Sequence, residues 1–200
     1  TGRTITGRSI PAYVISDFNV PTSSKNRVLI ISGQHGDEIN PIKSVLSFCE
    51  NLASGAYPGL LANNLIIVVP VVNPDGLAAK SRYNSLGKDI NRDWTTLSCS
   101  ETRFVHNVIR LIRPQILIDT HEWKVSPEFS GNGIELAWSA STIQRKSMGK
   151  ITKVVNGIAG LTQIECRRDS NPSLFHRRYS RLGYSSFLLE TEPYLTYTQK

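Results

Sequence analysis

The sequence predicts an α/β fold in which helices flank a largely parallel central β-sheet. Short apolar runs rich in β-branched residues alternate along the chain with longer stretches of helical periodicity. Three of these runs, at 27–32, 65–72 and 115–120, are almost continuously apolar, which is typical of strands buried on both faces. The 200 residues, 40% of them hydrophobic, are enough to form one sizeable core, so we expect a single domain over 1–200.

The elements are expected in a regular order along the chain. Strands are predicted at 9–16, 27–32, 65–72, 115–120, near 163–167 and at 185–191. Helices are predicted between them at 38–53, 100–113 and 142–160. In the second helix Ser100 is a candidate N-cap and Pro114 ends the helix. Its apolar residues form one stripe, made of Phe104, Val105, Val108, Ile109, Leu111 and Ile112.

The composition excludes several classes of protein. The 23 Lys+Arg and 16 Asp+Glu give a net charge of +7, but the basic residues are scattered without a nucleic-acid-binding signature, so we interpret them as surface charge. No apolar run is long enough to predict a membrane span. The three cysteines, Cys49, Cys99 and Cys166, form no CxxC pair, which argues against a structural zinc knuckle. We expect a soluble protein, and the sequence leaves its compartment undecided; because it begins at Thr1 and not at Met, a secreted or periplasmic location after removal of a leader is one option.

Unusual polar residues follow three of the predicted strands. His35 and Glu38 follow the strand at 27–32, NPDG (73–76) follows the next strand, and His121 closes the strand at 115–120. Because ligands gather at the carboxyl ends of parallel strands, we expect these groups to converge on one rim of the sheet. Two imidazoles and one carboxylate are a common ligand set for catalytic zinc. The sequence therefore predicts a Zn²⁺ site at His35, Glu38 and His121, although an HxxE pair alone is a weak signal.

The segment SRYNSLGKDINRDW (81–94) adds residues that suit an enzyme. Arg92 follows Asn91, and an arginine fork beside an amide suits the recognition of a carboxylate. Asp89 could accept the free N–H of a metal-bound histidine and thereby fix its tautomer. Arg82 is a further cation in the same segment. Considered alone, the segment is equally compatible with a solvated loop that contains incidental ion pairs.

Six blocks of sequence occur in a characteristic order. They are TGRSIPAYVI (6–15), HGDE (35–38), PVVNPDG (70–76), RYNSLGKDINRDW (82–94), SETRFVHNVIRLIRPQILIDTHE (100–122) and SFLLETE (186–192). Together they resemble the zinc metallocarboxypeptidases, the carboxypeptidase A-like family (M14), of which this chain looks like a small, compact member. The resemblance implies a carboxypeptidase/phosphorylase-hydrolase-like fold with a mixed, mostly parallel sheet of about eight strands. It also implies that 1–200 is one catalytic domain with one Zn²⁺.

The resemblance implies a role for each candidate residue. It makes His35, Glu38 and His121 the zinc ligands and places Asp89 behind His35. It assigns the terminal carboxylate of the substrate to Asn91 and Arg92, and the stabilisation of the oxyanion to Arg82.

The general base is the least determined of these roles. Glu190 falls where the family keeps its base, but Glu122 and Glu192 are alternatives when the residues alone are considered. The substrate-closing tyrosine of larger members has no clear counterpart, since Tyr179 and Tyr184 both lie closer to Glu190 than expected.

These assignments predict a zinc-dependent exopeptidase that hydrolyses the C-terminal peptide or isopeptide bond of a substrate with a free C-terminal carboxylate. Metal-activated water would attack, with a glutamate as general base. Cell-wall peptides remain among the candidate substrates. Two alternatives stay open: a zinc deacylase of N-acyl amino acids that resembles aspartoacylase and succinylglutamate desuccinylase, and a non-catalytic module that binds peptide C-termini.

Overall fold

The computed structural model describes residues 1–123, 133–137, 162–165 and 171–191, together with positions 142, 145–146, 149–150 and 153. Its strands are β1 (Gly2–Arg3), β2 (Ser9–Ile10), β3 (Tyr13–Ile15), β4 (Asn26–Ser32), β5 (Asn64–Val69), β6 (Ile116–Glu122), β7 (Gly133–Leu136), β8 (Thr162–Glu165) and β9 (Ser185–Thr191). Its α-helices are α1 (Ile39–Ala53), α2 (Pro58–Asn63), α3 (Pro74–Ala79), α4 (Ser100–Ile112) and α5 (Phe175–Arg181). Short 3₁₀ turns cover Thr22–Ser24 and Ile90–Arg92.

Seven of the described strands form one sheet in the order β3-β5-β4-β6-β9-β7-β8. Four of its neighbouring pairs are parallel (β4–β5, β4–β6, β6–β9 and β7–β8), and β3–β5 and β7–β9 are antiparallel. The prediction of an α/β fold with a mixed, mostly parallel sheet is therefore confirmed, with seven strands described where about eight were expected. Strands β1 and β2 pair separately.

The core lies on both faces of this sheet because alternate strand residues point in opposite directions. On one face, Leu29 and Leu117 pack in a cluster with Ile109 of α4 and Phe175 of α5. On the other face, a second cluster joins strand residues to α1, and its buried members are Ile30, Ile66, Val68, Val45 and Leu52. Each fully buried aliphatic side chain of this kind contributes about 1.5–3 kcal/mol to folding, so the two clusters hold the central strands rigidly.

Several predicted details differ from the structure. The strand expected at 9–16 is divided into β2 and β3 because Pro11, between them, has no N–H to donate to a sheet. The N-cap of α4 is Cys99, not Ser100, and it makes no side-chain capping bond. Leu111 is 81% exposed and so is not part of the buried stripe of α4.

The helix predicted at 142–160 lies outside the described residues, apart from the single positions given above. Among the residues that the structure describes, no helix combines the length and apolar content needed to cross a membrane.

Candidate metal and substrate site

Three neighbouring parallel strands bring the predicted site together. His35 and Glu38 follow the end of β4, His121 lies near the end of β6, and Glu190 lies near the end of β9. In the sheet, His121 is paired in register with Glu190. These residues are far apart along the chain but lie side by side in the structure, because β4, β6 and β9 are neighbours in the sheet.

The turn that carries the first two ligands depends on a close backbone contact. Gly36 N–H donates to Ser81 O at 2.9 Å, and a Cβ atom on Gly36 would overlap the backbone of Gly76 and Leu77. Gly76 is fixed in turn because its N–H donates to Asn73 Oδ1 at 2.8 Å at the start of α3. The HGDE and NPDG segments thus pack backbone against backbone, which only glycine at 36 permits.

The three predicted ligands converge on one point. Glu38 Oε1 lies 2.6 Å from His35 Nδ1, and Glu38 Oε2 lies 2.9 Å from His121 Nδ1. The two Nδ1 atoms are 3.1 Å apart, and one ligand atom from each residue lies within 4.8 Å of the others. Two imidazole nitrogens and a carboxylate that face one another fit the donor set of a catalytic zinc ion, so the residues present suit this metal.

The far nitrogen of each histidine faces a carboxylate. His35 Nε2 lies 3.0 Å from Asp89 Oδ1, and His121 Nε2 lies 3.1 Å from Asp119 Oδ1. The contact with Asp89 is a hydrogen bond, which favours a proton on Nε2 of His35 and leaves its Nδ1 free to bind a metal. The backbone N–H of Glu122 also donates to Glu38 Oε2 at 3.0 Å, which ties the carboxylate ligand to the end of β6.

An open cleft of about 640 Å³ lies over this centre. On one side it contains Arg82 and Arg92, whose side chains are 33% and 46% exposed. The other lining residues include Glu122, Trp123, Glu135, Leu174, Leu188 and Glu190. Cations, acids and apolar groups thus face the same space as the three ligands, as substrate-binding clefts require.

Comparison with known proteins identifies the chain. The family model of zinc carboxypeptidases (peptidase M14) matches residues 1–110, which is more than half of the 200 residues. This chain belongs to the zinc carboxypeptidase family. The match contains six site candidates named above, whereas His121 and Glu190 lie beyond it; the six are His35, Glu38, Arg82, Asp89, Asn91 and Arg92.

Individual relatives agree with this family. Probable carboxypeptidase 2 of Arthroderma benhamiae is 29% identical over 196 residues, covering 95% of this chain and 35% of the relative. Murein peptide amidase A of Escherichia coli K12 is 29% identical over 100 residues, 50% of this chain and 38% of that protein. A metallo-carboxypeptidase structure from Burkholderia cenocepacia has the same fold, with a TM-score of 0.82 and 22% identity over 96% of this chain and 54% of that one. The chain spans about a third of the length of these curated relatives.

Nearby charges shift the pKa values of two candidate ligands in the metal-free protein. Burial disfavours a charge on Glu38, but the neighbouring imidazoles of His121 and His35 outweigh burial and hold the pKa of the carboxyl below its usual range. Burial also disfavours a charge on His121, but Asp119 and Glu38 outweigh it and raise the pKa of the imidazole. The carboxylates around the ligand nitrogens therefore favour a positive charge at this position, whether it is carried by a proton or by a metal ion.

Glu190 has the environment of a candidate general base in the family. Its buried Oε2 atom accepts no hydrogen bond from any described residue. Burial raises the pKa of Glu190 to about 8; the nearby imidazole of His121 opposes the shift, and the carboxylates of Glu38, Asp119 and Glu135 add to it. A carboxylate that is costly to ionise holds a proton readily once it has accepted one.

Asn91, the candidate amide for binding the terminal carboxylate of the substrate, is 4% exposed and lines the cleft. Its side chain is buried, with Nδ2 at 3.3 Å from His121 Nε2, and its Oδ1 accepts the N–H of Phe175 at 3.1 Å. In this structure Asn91 therefore contacts a metal ligand and the first residue of α5. Arg92 lines the same cleft, and its side chain is 46% exposed.

The two candidate closing tyrosines lie away from the cleft lining. Tyr179 is 1% exposed, and its hydroxyl is 2.9 Å from His106 Nδ1. Tyr184 packs edge-on against Tyr179. Burial raises the pKa of Tyr179 above its usual range. The other alternative residue, Glu192, lies outside the described residues.

Sequence reasoning missed two features of the site. Asp119 lies two residues before His121 on the same face of β6, and this period-two spacing was the available signal. Glu135 in the cleft wall accepts hydrogen bonds from Arg177 Nε at 3.0 Å and contacts His176 Nε2 at 3.1 Å. Burial opposes ionisation of Glu135, but these two partners outweigh it and lower the pKa to about 2. Strand β7 was not predicted, so nothing in the sequence connected Glu135 with α5.

Proposed function

We propose that this chain carries the active site of a zinc-dependent metallocarboxypeptidase, which hydrolyses the C-terminal peptide or isopeptide bond of a peptide. The observation that carries the proposal is the convergence of ligand atoms from His35, Glu38 and His121 within 4.8 Å, in a cleft that also contains Glu190 and two arginines. A zinc ion held by these three residues supplies Lewis acidity, which polarises the scissile carbonyl and makes water a stronger acid.

The arginines orient the substrate. Arg92 is the principal anchor for the terminal carboxylate, because its guanidinium is exposed to the cleft while the amide of Asn91 already contacts His121 and Phe175. Arg82 is held by Asp89, with Nη2 to Oδ2 at 3.0 Å, and it donates to the carbonyl oxygen as negative charge develops there. Binding the chain end in this way restricts hydrolysis to the terminal bond.

Glu190 moves the proton. It accepts a proton from the attacking water and returns it to the nitrogen of the leaving amino acid. In the metal-free site, burial raises its pKa to about 8, which favours the protonated form that the second step needs. The positive charge of a zinc ion held by His35, Glu38 and His121 would favour the ionised form that the first step needs. Glu122 suits this role less well, because Asn40 Nδ2 donates to its Oε2 at 2.7 Å.

The first experiment is mass-spectrometric digestion of a mixed library by the zinc-loaded protein. The library contains peptides with free and amidated C-termini, N-acyl amino acids and cell-wall stem peptides, the last because of the similarity to a murein peptide amidase. Stepwise loss of residues from free C-termini alone supports a carboxypeptidase. Hydrolysis confined to N-acyl amino acids would instead support a deacylase, and zinc binding without any turnover would support a recognition module.

Arg92→Met tests how the chain end is recognised. Losing a charged hydrogen bond of about 1.5–3 kcal/mol should lower kcat/KM on free C-termini roughly 10- to 100-fold while leaving the slow reaction with amidated peptides unchanged. Arg110→Met, at an exposed arginine in the last turn of α4, is the matched control and should behave as wild type. Equal losses on both kinds of substrate in Arg92→Met would contradict the assignment.

A further inference from the structure

Asp119 is a fully buried carboxylate in the middle of the sheet, next to the metal centre. It is 0% exposed and lies on β6, the strand that carries His121. A buried carboxylate without partners is strongly destabilising, so its contacts should account for its presence. We infer that Asp119 is a positioning residue, which directs His121 towards the metal through the contact of Asp119 Oδ1 with His121 Nε2. This inference rests on the metal site of the proposed function.

Two consecutive hydrogen bonds between buried side chains determine which oxygen of Asp119 is left to contact His121. The indole N–H of Trp94 can only donate, and it points at one atom of the Gln34 side chain at 2.8 Å. That atom must therefore be Oε1, which leaves Gln34 Nε2 to donate to Asp119 Oδ2 at 2.7 Å. Trp94 and Gln34 are 1% and 0% exposed, so water does not compete for these bonds.

The remaining oxygen of Asp119 faces the histidine. Oδ1 has no aligned hydrogen bond to any described residue, and it lies 3.1 Å from His121 Nε2. The interaction is favourable only if Nε2 carries a proton, because a lone pair there would face a carboxylate. With the proton on Nε2, the Nδ1 lone pair points at the space between His35 and Glu38, where the metal is bound.

Two amide groups make this carboxylate necessary. Gln34 Nε2 and Asn91 Nδ2 each lie 3.3 Å from His121 Nε2, and both are donors. Without the charge of Asp119, they would favour an unprotonated Nε2 and move the proton to Nδ1, where Glu38 would accept it. Metal binding would then have to displace that proton first, which weakens the affinity.

The test is the zinc affinity of Asp119→Asn, measured by competition with a chelator in the full chain. We expect about 10- to 100-fold weaker binding, as is typical when the hydrogen-bond partner of a ligating histidine is removed. Glu101→Gln, at a buried carboxylate in α4, a helix that carries none of the candidate ligands, is the matched control and should keep the wild-type affinity. The melting temperature of each metal-free variant reports the purely structural cost.

A spectroscopic measurement separates positioning from a general loss of stability. In the Co²⁺-loaded proteins, the visible absorption bands report the geometry and strength of the ligand field, and they should shift in Asp119→Asn but not in Glu101→Gln. A folded Asp119→Asn protein with wild-type zinc affinity and wild-type Co²⁺ bands would overturn the inference. Failure of the wild-type protein to bind zinc would instead overturn the proposed metal site.

Trp94→Phe provides a second variant in case Asp119→Asn does not fold. It removes the indole N–H while keeping an aromatic ring in the core, so the Gln34 amide loses the contact that orients it. We expect zinc affinity to fall in the same direction but by less than in Asp119→Asn. An unchanged affinity in folded Trp94→Phe would contradict the proposed chain of contacts.

Discussion

At the scale of single residues, the site depends on acids with different environments. Glu38 is held ionised by two imidazoles, whereas burial makes ionisation costly for Glu190. Both carboxylates line the same cleft. Environments that shift the pKa values of two carboxyl groups in opposite directions allow one group to act as a metal ligand and the other to accept and donate a proton.

Glu190→Gln tests the proton carrier. We expect kcat on a peptide with a free C-terminus to fall roughly 10²- to 10⁴-fold, the usual contribution of a general base, because the amide cannot accept the proton of the attacking water. Zinc affinity, measured by chelator competition, should stay near that of wild type.

The control for this variant is Glu122→Gln, which removes the alternative base that also lines the cleft. It should keep most of the activity. Strong loss of activity in Glu122→Gln together with an active Glu190→Gln would show that the two roles have been exchanged.

The proximity of the side chains around the candidate ligands could be predicted from the sequence, because the spacing of residues on strands and turns determines where their side chains point. His35, Glu38, His121 and Asp89 meet at one centre, as expected from such spacing. The contacts of Asn91 could not be predicted, because they depend on how α5 packs, and its first residue, Phe175, lies 84 positions further along the chain.

At the scale of secondary-structure elements, the turn after β4 is the most constrained segment of the site. Gly36→Ala should lower both the melting temperature and the zinc affinity, since a Cβ atom would push the HGDE turn away from the backbone of Gly76 and Leu77. Differential scanning fluorimetry with and without zinc measures both effects.

The matched substitution is Gly59→Ala in α2. A Cβ atom there meets nothing within 4 Å, so the variant should be unchanged or stabilised by up to about 1 kcal/mol through its higher helix propensity. Wild-type zinc affinity in Gly36→Ala would show that the turn can shift without moving the ligands.

Asp93 organises the start of α4 and gives a prediction for pH. Burial opposes its ionisation, but hydrogen bonds from Ser98, Thr102 and Thr96 and from the backbone N–H of Cys99 outweigh burial and hold the pKa of Asp93 below its usual range. Because the folded pKa is below the unfolded value of about 4, the stabilisation is fully present above pH 4 and is lost as the pH falls through the folded pKa.

Asp93→Asn should therefore cost about 2–3 kcal/mol in the free energy of unfolding at pH 7, and the cost should shrink in acid. Urea titrations of both proteins between neutral pH and pH 3 measure this difference. A cost that does not depend on pH would mean that the carboxylate charge contributes nothing.

Elements differ in how well the sequence predicts them. The strands β4, β6 and β9 and the helices α1 and α4 were predicted nearly to their ends, because long apolar patterns determine them. The short elements α2, α3, α5 and β7 were missed, because segments of four to seven residues are too short to show a clear periodicity of apolar residues.

At the scale of the whole molecule, a bound metal would link β4 and α1 to β6. Zinc should therefore stabilise the folded chain by about 4 kcal/mol when its free concentration is 1,000 times the dissociation constant. Chelation should lower the melting temperature correspondingly, and Glu38→Gln should abolish the zinc-dependent part. A melting temperature that does not respond to zinc in the wild-type protein would contradict the metal site.

The pairing of His121 with Glu190 across β6 and β9 has a consequence for how this site can vary. Successive strand residues point to opposite faces, so deleting one residue inside β9 before Glu190 would turn that carboxylate away from the cleft without changing any site residue. Insertions in the connecting segments leave the strand pairing untouched. The separation of the candidate ligand His121 and the candidate base Glu190 is thus set by the distance between neighbouring strands, about 4.7–4.9 Å in every sheet. It does not depend on the length of the segments that connect the strands.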